Sequence, residues 1–322
     1  MKFLDKIEPL LLLAAVALGV AFSGFPRAAA AASPLVSIFL ACMLFGLFWE
    51  APLKDIGKSF RNVKFTFTSL ALNFIWTPLF AWILMGIFLH DSPYLALGLL
   101  LLLVTPCTDW YLVFTAMAKG NVPLSTALLP VNLTVQVALL PVYILAYSGV
   151  RGDVSVLLLA KSAVTTLVVP FALAKGLKWL LRRRKRATGA LEALFAKRQF
   201  VWLWLAVAAM FASERIFTQG YLGVFLKIAV PVLAFFAVTF PIARAAARIM
   251  RFDGPDSVSL AFTVLARNSP LSLAFAQRAF PENREVLLPL VIGPLLELPV
   301  LALIAQIVLF LGYRRPGPGA PR

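Results

Sequence analysis

"TPCTDWYLVFTAMAKGN", residues 105–121, sets Pro106, Cys107, Thr108 and Asp109 inside a segment that is otherwise apolar on both sides. Proline removes a backbone donor and crowds the preceding turn, so a helix through this stretch breaks there. In hydrocarbon the freed N–H and C=O groups have no water to bond, and such a break must face protein or a wet cavity. The rest of the chain decides whether hydrocarbon is the setting. Of 322 residues, 61% are hydrophobic and 14% charged, and the mean hydropathy is +0.90, far above the usage of soluble domains. A spanning helix needs about 20 apolar residues. Ten such stretches lie along the chain, near 8–24, 35–50, 66–89, 93–118, 123–147, 154–177, 199–214, 221–247, 258–279 and 285–312. The expectation is an all-α membrane protein, one transmembrane domain over 1–322 with ten transmembrane helices and no loop long enough for a soluble domain.

The first 33 residues also have the outline of a secretory signal, with Lys2 and Lys6 before an apolar run and "RAAAAAS" after it. Asp5 and Glu8 sit in or beside the would-be basic region, and losing this span would leave nine and break the symmetry described below; a retained first span is expected.

Net charge is +16, a value that in a soluble protein points to nucleic acid. Placement points elsewhere. With the N-terminus inside, 22 Lys and Arg face the cytoplasm and 6 face out, the bias of the positive-inside rule. Both termini are expected in the cytoplasm of a plasma-membrane protein. The run "LRRRKRA", residues 181–187, reads as a topology determinant in contact with anionic lipid headgroups, with no role toward nucleic acid. Cys42 and Cys107 are the two cysteines, both within spans, so neither a disulfide framework nor a metal-ligand spacing can be read, and no cofactor is implied.

Five spans per half would give the second half the opposite orientation, the topology of inverted-repeat transporters whose sites lie where broken helices meet. The halves are 1–150 and 151–322. An offset of 161 lays "PCTDWYLVFTAMAKG" over "RNSPLSLAFAQRAFP", pairing Cys107 with Asn268 and Thr108 with Ser269 without a gap, and carries Gln136 onto Glu297. Pro106 and Pro270 thus break spans four and nine beside polar residues. Prolines often only kink a spanning helix, but two breaks at related positions, each with ionisable residues attached, predict crossing broken helices around a polar site.

Asp109 and Arg267 are the residues most costly to leave unpaired in hydrocarbon, so an intramembrane ion pair between them is expected. Glu297, in "GPLLELPVL", lies deep in span ten; burial without an assigned cation makes it a candidate proton carrier. Its counterpart Gln136 has Asn132 four residues earlier, on the same helix face. Thr108, Asn132, Gln136, Asn268 and Ser269 are candidate donors and acceptors around Cys107, with Trp110 and Tyr111 as aromatic walls. Lys161 is expected near an interface, where it can snorkel.

"PCTDWYLVFTAMAKGN", "NLTVQVALLPVY", "ARNSPLSLAFA" and "LLELPVL" resemble the bile acid:sodium symporter superfamily and, within it, the arsenite efflux permeases. The resemblance implies ten spans, broken helices crossing at spans four and nine, and a core with a smaller panel. It implies that Cys107 and Glu297 are the functionally important pair, in proton-coupled export of arsenite or a related trivalent metalloid. The ninth span departs from the permease pattern: "RNSPLSLA" is closer to the asparagine-containing pattern of the sodium symporters. Arg267 stands near where that branch would bind sodium, and a fixed cation there disfavours it. The competing implication is a sodium-coupled symporter of an organic anion, with Arg267 as a carboxylate clamp. An intramembrane enzyme is disfavoured, because the one histidine, His90, falls in a short outer loop. A passive channel would need a continuous polar face, whereas the polar residues cluster at mid-depth.

Overall fold

Four helices begin where the sequence supplies a side-chain cap. Asn62 Oδ1 accepts from Phe65 N–H, Asn121 Oδ1 from Leu124 N–H, Asp253 Oδ1 from Asp256 N–H and Asn268 Oδ1 from Leu271 N–H. Each satisfies a donor that the first helical turn leaves free. The computed structural model describes residues 3–50, 60–108, 110–151, 161, 164–213, 221–280 and 283–310, and these are helical with no strand among them.

The helices are α1 (Phe3–Ser23), α2 (Pro26–Glu50), α3 (Val63–Phe88, through a π turn at Leu72–Trp76), α4 (Pro93–Leu103), α5 (Trp110–Met117), α6 (Val122–Arg151), α7 (Val169–Leu180), α8 (Lys185–Ala196), α9 (Gln199–Ser213), α10 (Tyr221–Ile249), α11 (Gly254–Leu265), α12 (Ser269–Ala279) and α13 (Leu288–Phe310). Among the described residues five helices are long and apolar enough to cross a membrane, or six if the bent pair Lys185–Ala196 and Val201–Ser213 is one span. The expected fourth and ninth spans each appear as two half-helices, α4 with α5 and α11 with α12, and the expected sixth lies partly outside the described residues.

The second span differs most from the sequence reading. It starts at Pro26 rather than 35, because proline suits the first helical position and the alanine run has the highest helix propensity. The basic connection after the sixth span contains a helix, α8.

The helices pack in two layers. One holds α1, α2, α7 and α9; the other holds α3 to α6 and α10 to α13. Within the second layer α4 and α13 approach closely. A Cβ on Gly98 would lie 2.3 Å from the Val286 carbonyl oxygen, and one on Gly293 would lie 2.7 Å from a Leu102 methyl. Glycine at both contacts lets the backbones come together, which brings Glu297 of α13 beside the break that follows α4.

Candidate functional site

The two broken spans meet backbone to backbone. Pro106 and Arg267 form an isolated antiparallel bridge, in which Cys107 N–H donates to the Ala266 carbonyl at 2.9 Å and Asn268 N–H to the Thr105 carbonyl at 2.7 Å. These two bonds exchange places when each residue is replaced by its counterpart 161 positions away. The bridge thus pairs two residues that the 161-residue offset aligns, Pro106 and Arg267.

Side chains take up the carbonyls that the helix ends leave free. Thr105 Oγ1 donates to Leu101 O at 3.0 Å and Ser272 Oγ to the same oxygen at 2.8 Å. Arg267 runs across both ends: Nη1 donates to Leu103 O at 2.7 Å, Nε to Leu265 O at 3.2 Å, and Nη2 to Val264 O and, at 3.0 Å, to Asn73 Oδ1. The guanidinium carbon lies 5.2 Å from the centre of the Phe235 ring. Asp109, its expected partner, lies outside the described residues. The backbone N–H of Arg267 has a separate role, donating to Glu297 Oε1 at 2.8 Å. The carboxyl of span ten is thereby fastened to the crossing itself.

Beside the crossing is a cavity of about 50 Å³, lined on the side of the breaks by Cys107, Trp110, Arg267, Asn268, Ser269 and Glu297 together with apolar side chains of α12 and α13, and on the other by Met43, Leu47, Leu203 and Val207. A water needs roughly 10–15 Å³ by this measure, so the space suits a few waters or one small solute. Ser269 Oγ is buried and has no hydrogen-bond partner among the described residues. Asn268 divides its amide, Oδ1 capping α12 and Nδ2 donating to Thr108 Oγ1 at 3.3 Å. Five of the sequence candidates, Cys107, Arg267, Asn268, Ser269 and Glu297, thus line one space, with Thr108 behind them.

Other candidates lie elsewhere. Asn132 Nδ2 donates to Thr263 Oγ1 at 3.4 Å, Gln136 is buried with no side-chain partner among the described residues, and neither lines this cavity. Tyr111 is turned away and donates to the Ser125 carbonyl at 2.6 Å, leaving Trp110 as the aromatic wall. Consecutive helical residues point about 100° apart, so one of the two had to face away. Lys161 is exposed. Sequence reasoning missed Asn73, which holds the guanidinium; the signal was a polar pair, Ser69 and Asn73, one helical turn apart in an apolar span. It also missed the wall from α2 and α9, since nothing in four apolar residues marks them as lining a site.

The site offers a thiol, a hydroxyl, an amide and a carboxyl against an apolar wall, which matches a small, uncharged solute with several polar atoms. Among the described residues no group of three or more His, Cys, Asp or Glu is placed to hold a metal ion. Residues 37–220 match the family described as the Sodium Bile acid symporter family. Over 97% of its length, and 90% of the relative's, the chain is 25% identical to the arsenical-resistance protein Acr3 of Corynebacterium glutamicum. Over 90% of its length, and 92% of the relative's, it is 24% identical to the uncharacterized protein YbaS of Bacillus subtilis.

Proposed function

The chain belongs to the Sodium Bile acid symporter family of membrane transporters, and on that premise we propose that it exports arsenite, or a related trivalent metalloid, across the plasma membrane in exchange for protons. The observation that carries this reading is the thiol of Cys107 and the carboxyl of Glu297 facing one small cavity. The name of the Corynebacterium relative supports the substrate class.

The chemistry is balanced and reversible. Neutral arsenous acid loses one hydroxyl as water when a thiol bonds to arsenic, the thiol proton leaving in that water. With 2 cysteines in the chain and Cys107 alone at the cavity, one As–S bond forms and a multi-thiolate trap does not. Asn268 and Ser269 are the proposed hydrogen-bonding partners of the remaining hydroxyls. Glu297 is proposed as the proton carrier, binding a proton from outside and releasing it inside. For a neutral solute exchanged against one proton, the membrane potential contributes about 2.3 kcal/mol per 100 mV.

The same proposal includes ten spans in an inverted 5+5 arrangement, with both termini in the cytoplasm. Its support is the pair of backbone bonds related by the 161-residue offset and the 22-to-6 bias of basic residues. The sodium-coupled organic-anion reading needs Arg267 as a carboxylate clamp. Its guanidinium is instead occupied by carbonyl oxygens, and the cavity is small for a large anion.

Arsenite uptake into everted membrane vesicles tests the proposal. Imposing an acidic interior should drive accumulation in wild type and in Cys42→Ala, and not in Cys107→Ala, which should remain inserted and folded. Undiminished arsenite transport by Cys107→Ala would overturn the metalloid reading.

A further inference from the structure

Arg267 is 3% exposed, and its guanidinium is bonded to four oxygens: the carbonyls of Leu103, Val264 and Leu265 and Oδ1 of Asn73. Leu103 closes α4 and Leu265 closes α11. Two half-helices therefore end at one point with their carbonyls converging. Each helix C-terminus carries roughly half a negative charge, so together they present about one, in a place without bulk water. Neutral donors elsewhere at the crossing, Thr105 and Ser272, satisfy the Leu101 carbonyl but bring no charge. The guanidinium brings a full positive charge and a planar set of donors, and the face of Phe235 closes it from one side.

A ring of backbone and amide oxygens at opposed helix C-termini is also what binds a dehydrated monovalent cation inside a membrane. We propose that Arg267 is a built-in cation: its guanidinium fills, as part of the chain, an oxygen cage at the crossing that would otherwise take an alkali ion. The crossing is then organised without bound sodium or potassium. Because the Arg267 backbone N–H also holds Glu297, the cage and the proton-carrying carboxyl are one unit, and filling the cage permanently keeps that unit assembled throughout transport. This assignment concerns the folded protein and stands whether or not arsenite is the substrate.

The test is the melting temperature of the purified, substrate-free protein in detergent. Sodium, potassium or guanidinium chloride is exchanged for choline chloride at a fixed concentration of about 100 mM, low enough to keep guanidinium below its denaturing range. Wild type should melt at the same temperature in all four salts. Arg267→Ala should melt several degrees lower in choline and regain part of that loss in guanidinium or in an alkali salt, and Arg267→Lys, which keeps a positive charge, should fall between and ignore the salt. A rise of the wild-type melting temperature in sodium over choline would overturn the proposal. So would Arg267→Ala melting like wild type in choline, or melting lower with no recovery in any salt. If Arg267→Ala yields no folded protein in any medium, Arg267→Lys decides: folded and indifferent to salt supports a need for charge, while its loss as well assigns Arg267 to shape alone and ends the idea.

Discussion

The two layers of helices differ in what they bury. Every buried polar or charged side chain among the described residues, from Thr66 to Glu297, belongs to α3–α6, α10–α13 or the breaks between them. The layer of α1, α2, α7 and α9 buries only apolar side chains among those residues, and gives the cavity Met43, Leu47, Leu203 and Val207. Polar groups in hydrocarbon are costly unless bonded, and those at the crossing, Thr105, Arg267, Asn268, Ser272 and Glu297, are joined by directional contacts. An apolar wall makes no such contacts, and sliding it over the crossing exchanges one packing for another. Under the proposed transport, that difference assigns recognition to the side of the crossing and access to the apolar side.

The comparison is most exposed to failure at Glu297, the most buried carboxyl of the polar layer among the described residues. Glu297→Gln keeps an oxygen to accept from Arg267 N–H, so the crossing should stay folded, but the amide has no proton to exchange. Net export driven by a pH gradient should fall at least about tenfold, with passive arsenite exchange retained. The same pH-gradient dependence as wild type in vesicles would make Glu297 structural and turn attention to Asp109.

A smaller effect separates the two walls directly. Ser269→Ala removes a buried hydroxyl that has no partner among the described residues. Stability should hold or rise slightly, since a buried unsatisfied group costs about 1–3 kcal/mol, while the KM for arsenite should rise severalfold with little change in maximal rate. Leu203→Met in the opposite wall conserves volume and should cost less than about 1.5 kcal/mol, leaving KM within about twofold. If Leu203→Met damages KM as much as Ser269→Ala, the apolar wall takes part in recognition and the division of labour fails.

Much of the polar layer was legible in the sequence, because polar residues in a hydrocarbon setting are anomalies and anomalies are informative. Pro106 and Pro270 marked the breaks, and the 161-residue offset aligned Pro106 with Arg267, which face each other across the bridge. What the sequence could not supply was direction. Asn132 and Gln136 satisfied the same reasoning as Asn268, yet their helix turns them away from the cavity. Asp109, the carboxylate expected beside Arg267, lies outside the described residues; the carbonyls at two helix ends that bond the Arg267 guanidinium are invisible in a sequence until the breaks are located. The apolar layer was illegible for the opposite reason. In a chain with 61% hydrophobic residues, Leu203 carries no mark that distinguishes a cavity wall from a lipid-facing position.

The smallest effects are expected where both layers reach water, and there the layers should behave alike. Lys227 Nζ lies 2.7 Å from Asp91 Oδ2 at the rim of the polar layer, and Lys197 Nζ 3.5 Å from Glu192 Oε1 at the rim of the apolar one. All four side chains are exposed, and exposed pairs contribute little because water and salt screen them. The hydrogen bond from Lys227, with help from Ser92, holds the Asp91 carboxyl below its ordinary range. A depressed carboxyl contributes stability above its unfolded pKa of about 3.9 and loses it as the pH falls through the lower folded value. Asp91→Asn should therefore lower the melting temperature at neutral pH by about 1 °C or less, and the difference from wild type should close only as the pH falls from about 3.9 through the lower folded value. Glu192→Gln should be as mild at neutral pH. A loss of several degrees from Asp91→Asn alone would mean that the polar layer's dependence on charge extends to its surface, and the contrast between the layers would no longer be confined to buried groups.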